Sequence, residues 1–292
     1  MKLITDFNPF NKKIGLALGG GAAKGLAHIG VLRAFDEQNI QISYISGTSV
    51  GAIVASYYAF GKNIDEIDQL GERLKAKSVF KLNLDKRGFV STDSIKQMLL
   101  NDIGDVNIED AKIPLAICTT DISSGESVIF KKGKLIPAVC ASVAVPGLFT
   151  PVEHDGRLLV DGGITQNVPV PAVKAMGAGI TVAVDLNGVN EYQKPMDIFT
   201  VVGNAIDIAI DSRTREQVKS ADIKISLDLS KYSLLDNSAN KQKLIDEGYQ
   251  TAQNQLSKLV WYRRLTLLNS IRKLIRDFVP FKIPEFLKPN KK

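Results

Sequence analysis

The 292-residue chain predicts one α/β domain of three layers, with helices on both faces of a central, mostly parallel sheet, and a helical C-terminal extension. Three observations carry this. Short apolar runs such as IGLAL at Ile14, IPLAICT at Ile113 and GITVAVDL at Gly179 have the length and composition of buried strands. Stretches of helical periodicity alternate with them, and the first two strand-to-helix joints are rich in glycine. No linker or internal repeat divides the chain.

Composition sets the class. Hydrophobic residues make up 45% and charged residues 23%, and no apolar run is long enough to span a bilayer. The start, MKLITDFNPFNKK, has an Asp and no apolar core, so no secretory signal is expected. Cys118 and Cys140 lie among apolar neighbours and predict buried thiols, which suits a reducing, cytoplasmic compartment. The net charge of +6 is uneven. Residues 256–292 hold ten Lys or Arg against two acids, which is +8 and leaves residues 1–255 at −2. The expected division is therefore a domain over 12–255 and a basic amphipathic extension over 256–292.

In chain order, a strand over Ile14 to Leu18 runs into Gly19-Gly20-Gly21-Ala22-Ala23-Lys24-Gly25 and then into a helix through Phe35. A second strand, ending near Ile45, leads to Gly47-Thr48-Ser49-Val50-Gly51 and a core helix that stops at Gly61. NIDEIDQLGERLKAK is an exposed amphipathic helix, and Ser91, Thr92 and Asp93 cap a helix running to about Leu100. A strand over Ile113 to Thr119 pairs with Glu126 to Phe130 across Ser123-Ser124-Gly125. A helix over Leu135 to Val143 ends at Pro146-Gly147. Arg157 to Val160 is a strand with Asp161 at its end, before Gly162 and Gly163, and Asn167 and Pro169 open the next helix. After the Gly179 to Leu186 strand come a helix over about 195–219, the strand IKISL and a helix over about 241–256.

Ser49 sits where a strand turns sharply into a helix, and a side chain at Gly47 or Gly51 would crowd that turn. The turn lifts a hydroxyl to the carboxyl edge of the sheet, at a helix N-terminus that favours developing negative charge. A G-x-S-x-G pentapeptide is short, and glycine and serine also serve as plain turn and capping residues. The glycine loop after the first strand has three readings. A dinucleotide site needs an acid closing the next strand, where this chain has Ser46-Gly47, and a P-loop needs Gly-Lys-Ser/Thr, where Lys24 is followed by Gly25. An oxyanion hole needs only N–H groups near the nucleophile, and a right-handed crossover would bring Gly20 and Ser49 to the same sheet edge.

A Ser-His-Asp triad of the α/β-hydrolase order needs a histidine after the acid. The chain has only His28, inside the first helix and expected to make a structural hydrogen bond, and His154, expected in a solvated turn EHDGR. Asp161 remains as a direct base, helped if burial raises its pKa.

The segments GLALGGGAAKGLAHIGVL, GTSVG, ASVAVPGLFTPV and VDGGITQNVPV, in that order, resemble the patatin-like phospholipase family, in particular its stand-alone bacterial members, over roughly residues 12–220. The resemblance implies Ser49 as nucleophile, Asp161 as base and the N–H groups of Gly20, Gly21 and Ala22 as oxyanion hole. It also implies hydrolysis of glycerolipid or other acyl esters with no metal or cofactor. Many members have a glycine where this chain has Ala22, and alanine serves there at negative φ. Lys24 is either a cation that stabilises the loop or attracts an anionic head group, or an exposed residue of the first helical turn.

The basic extension is either a peripheral anchor on an anionic inner membrane surface or a helix docked on the domain. No reader motif for nucleic acid is present. Two other classes stand beside the hydrolase: a nucleotide-binding protein using the glycine loop, and a regulatory or adaptor protein that keeps the fold with little turnover.

Overall fold

The computed structural model describes residues 12–74, 90–189, 192, 194–232 and 240–257. The sheet has eight strands: β1 (Ile14–Leu18), β2 (Ile42–Thr48), β3 (Leu115–Asp121), β4 (Ser127–Phe130), β5 (Val152–His154), β6 (Arg157–Asp161), β7 (Ile180–Asp185) and β8 (Ile223–Ser226). Their order is β5-β6-β3-β2-β1-β7-β8, with β4 also on β3. From β3 to β8 the neighbours are parallel, whereas β4, β5 and β6 pair antiparallel.

The chain moves from β1 to β2 and β3 on one side and later returns to place β7 on the other. In open α/β sheets such a reversal of strand order leaves a crevice beyond the carboxyl ends of the strands. The glycine loop after β1 emerges there, next to the turn after β2.

Alternation along the strands builds the layers. Leu16 and Leu18 of β1, with Val182 and Val184 of β7, face the main core. It is covered by α1 (Ala27–Glu37), α2 (Val50–Ala59), α3 (Ile64–Leu74), α4 (Asp93–Asp102) and α5 (Leu135–Ser142). Ala17 and Ala183 face the opposite way, against Val170 and Val173 of α7 (Val170–Ala175) and Val218 of α8 (Ile198–Lys219). A short helix α6 (Gly163–Gln166) precedes α7. The three layers follow because successive strand side chains leave on opposite faces, and both faces are apolar.

A helix over 241–257, α9, lies on α1. A Cβ at Gly30 would collide with the Ile245 carbonyl and one at Gly248 with the Ala27 carbonyl, so the two backbones touch through paired glycines. Leu256, expected to open the extension, is buried in the main core. Residues 258–292 lie outside the described residues, as does most of the basic extension with them.

Several bounds shift for physical reasons. The long helix starts at Ile198 because the Asp197 carboxylate accepts the Thr200 N–H at 2.8 Å and closes a capping box there. At α4 the Asp93 N–H donates to Ser91 Oγ at 3.0 Å. Sequence periodicity misses β5, three residues long, which pairs with β6 across Asp155-Gly156. His154 therefore ends a strand and does not sit in a turn. Both cysteines are buried free thiols. Among the described residues no helix is long and apolar enough to cross a membrane.

Candidate active site

Ser49 links β2 to α2 at φ 55° and ψ −127°, a conformation that L-residues rarely adopt. The turn holds because backbone packs on backbone. A Cβ at Gly51 would strike the Leu18 carbonyl, and one at Gly47 would strike the Gly51 carbonyl. Only glycine at both positions lets α2 start this close to β1.

Register brings Asp161 to the same place. Thr48 pairs with Cys118 in parallel, and Thr119, the next residue, pairs with Asp161. The levels of Ser49 and Asp161 therefore coincide across β3, two strand spacings or roughly 10 Å apart in backbone. Because β6 is antiparallel, it enters from beyond the sheet edge and delivers Asp161 at its end.

The Asp161 residue is 7% exposed. Burial raises its pKa from 3.8 to about 6, while the hydrogen bond from the Gly163 N–H and the nearby Ser49 side chain pull it down. The Gly163 bond measures 2.7 Å. At neutral pH the carboxylate is mostly ionised, yet basic enough to take up a proton.

Sequence reasoning assigns no role to Ser142, in the ASVAVPG segment. Its buried hydroxyl accepts the Ser49 N–H at 2.9 Å and donates to the Cys118 carbonyl at 2.7 Å. Two residues on, the Ala144 carbonyl accepts the Asp161 N–H at 2.9 Å. One turn at the end of α5 thus holds the backbones of both Ser49 and Asp161. The available signal is the segment itself, whose serine stands in a core helix of small apolar residues.

The glycine loop is drawn in by the chain after Asp161. The Gly20 N–H donates to the Asn167 carbonyl at 3.2 Å, Thr48 Oγ1 to the Gln166 carbonyl at 2.7 Å, and Ser46 Oγ to the Pro169 carbonyl at 3.0 Å. A Cβ at Gly20 would lie 3.3 Å from Ser49 Cβ, which places the loop against the serine. Ala22 has φ 47°, contrary to the negative φ under which alanine is expected to replace glycine. It therefore carries strain that glycine would not.

His28 is buried, and Nε2 lies 2.8 Å from the Gly19 carbonyl. Burial lowers its pKa to about 4, so the ring is neutral and Nε2 carries the proton it donates. It shapes the loop, as expected of a structural histidine. His154 is half-exposed, 3.5 Å from the Asp155 carboxylate and edge-on to Phe130. It pairs with Arg157, four residues from Asp161 along β6, or roughly 13 Å.

Lys24 is neither exposed nor aimed at solvent. It is 6% exposed, and its ammonium donates to Asn187 Oδ1 at 3.2 Å. Burial lowers its pKa, opposed by Asp211, Asp228, Asp185 and Asp207. The charge ties the loop to the segment after β7.

Residues 16–174 match the family model of the patatin-like phospholipases. An uncharacterized NTE family protein of Mycobacterium tuberculosis is 38% identical over 179 residues, 60% of this chain and 49% of that protein. Lysophospholipase NTE1 of Pyricularia oryzae is 33% identical over 186 residues, 62% of this chain and 12% of that protein. The chain spans about half the length, or less, of these curated relatives. Among solved structures, VipD from Legionella pneumophila superposes on 85% of this chain and 67% of its own, with a TM-score of 0.48 and 15% identity. The family match covers more than half of the chain and takes in the glycine loop, the Ser49 turn and Asp161: this chain belongs to the patatin-like phospholipase family.

Proposed function

We propose that this chain is a lipid acyl hydrolase of the phospholipase A or lysophospholipase type, working through a Ser49–Asp161 dyad. One observation carries the reading: the strand register sets the buried carboxyl of Asp161 level, across β3, with a serine held in a strained strand-to-helix turn. Family membership and a relative named as a lysophospholipase support the substrate class.

Ser49 Oγ attacks the ester carbonyl as its proton passes to Asp161. Charge builds on the carbonyl oxygen, where the N–H groups of Gly21 and Ala22 receive it, since the Gly20 N–H already donates to Asn167. The intermediate collapses, the alcohol leaves with the proton from Asp161, and the acyl group stays on Ser49. Water, deprotonated by Asp161, then attacks the acyl carbon, and as the bond to Ser49 Oγ breaks Asp161 returns the proton to that oxygen and the fatty acid leaves. The adaptor reading has no observation in its favour beyond the fold itself.

The test is hydrolysis of a p-nitrophenyl ester and of lysophospholipid, with labelling by a fluorophosphonate probe. The unsubstituted protein is expected to turn over and to label at Ser49, and Ser49→Ala to do neither. Undiminished hydrolysis by Ser49→Ala would refute the assignment.

A further inference from the structure

Among the described residues, every exposed large apolar side chain except Leu100 lies at the carboxyl edge of the parallel strands, the edge that carries Ser49. Ile122 follows the end of β3. Val145 and Leu148 follow Ala144, whose carbonyl binds the Asp161 N–H. The others fall between residues 189 and 208, from the end of β7 to the middle of α8.

On α8 the arrangement is graded. Ile210 lies 3.9 Å from a Cβ built on Gly163, the residue whose N–H holds Asp161. Ile206, Val202 and Ile198 follow at four-residue spacing, a stripe about 18 Å long that winds round the helix by about 40° at each step. Their exposure climbs outward from 37% through 50% to 67%, and Met196 beyond them is 87% exposed. Such a contiguous exposed face marks an interaction surface.

Charge selects the occupant. From Pro195 to Ser212 there is no Lys or Arg, while Asp197 and Asp207 are exposed; Asp211 is buried and accepts the Tyr192 hydroxyl. Between the exposed Lys194 and Arg213 an anionic surface finds no basic partner on this face. A second copy seated here would cover the sheet edge that carries Ser49, whereas a lipid surface would bring substrate to it. Building on the hydrolase reading, we infer that this rim, with the first half of α8 as its main element, docks on a neutral or zwitterionic lipid surface. Its apolar side chains enter the interface and the ester-bearing layer meets Ser49.

Flotation of the full chain with phosphatidylcholine vesicles tests this. Ser49→Ala is used as the parent so that binding is read without turnover, and a second variant adds Ile198→Asp and Val202→Asp. Both positions are already exposed, so the melting temperature is expected to hold. The parent should float in low and high salt alike, and the added carboxylates should cut vesicle partitioning by roughly tenfold or more. The proposal is overturned if the parent does not float or if the substituted variant floats equally well. It is also overturned if binding needs phosphatidylglycerol and vanishes in high salt, or if sedimentation shows a dimer that the substitutions disperse. Ester hydrolysis by the unsubstituted chain decides the hydrolase reading separately.

Discussion

Replacing Asp161 by asparagine separates the stability of this fold from its activity. The carboxyl has a pKa of about 6 in the folded chain against 3.8 unfolded, with burial as the main cause. At about 1.4 kcal/mol per tenfold, keeping it ionised costs the folded state about 3 kcal/mol. The sign follows from proton binding. Below pH 3.8 both states are protonated and there is no cost. Between 3.8 and 6 the folded state holds a proton that the unfolded state has lost, so stability falls as pH rises. Above 6 the cost is fully present. In Asp161→Asn the side-chain amide keeps the acceptor for the Gly163 N–H without the charge. The variant should therefore melt above wild type at pH 7.5, by up to about 5–10 °C for a domain of this size. The gap should close on acidification through pH 6 to 4, and ester hydrolysis should be lost. Wild-type kcat/KM should rise as pH climbs through about 6, as the base ionises. A variant that melts at or below wild type at pH 7.5, or a gap that ignores pH, would show that Asp161 is not held ionised against its burial.

Ser142→Ala removes both the acceptor for the Ser49 N–H and the donor to the Cys118 carbonyl. It should lower kcat by roughly tenfold to a hundredfold with KM little changed, because the serine loses its placement and not its chemistry. Ser142→Thr should recover most of the rate, and equal loss in both variants would rule out positioning by the hydroxyl. Ala22→Gly relieves a positive φ and should raise stability by about 1 kcal/mol, read as a higher denaturant midpoint. A lower midpoint would mean the alanine is not strained.

What the sequence determined by itself was local. β1 has the predicted bounds, because an apolar run stopped by glycines has little other choice, and the Ser49 turn follows from glycines where only they fit. The order of the strands, the reversal at β1 and the antiparallel entry of β6 depend on pairings between residues far apart in the chain, which no local pattern encodes. Asp161 shows the difference. That it ends a strand before two glycines is legible, but that it stands level with Ser49, and that burial lifts its pKa, is decided by the register of β2, β3 and β6. Lys24 looks like a surface lysine until β7 and α8 close over it. Ser142 looks like core filler until the end of α5 meets the turn after β2, because a hydrogen bond between segments 93 residues apart exists only once both are folded.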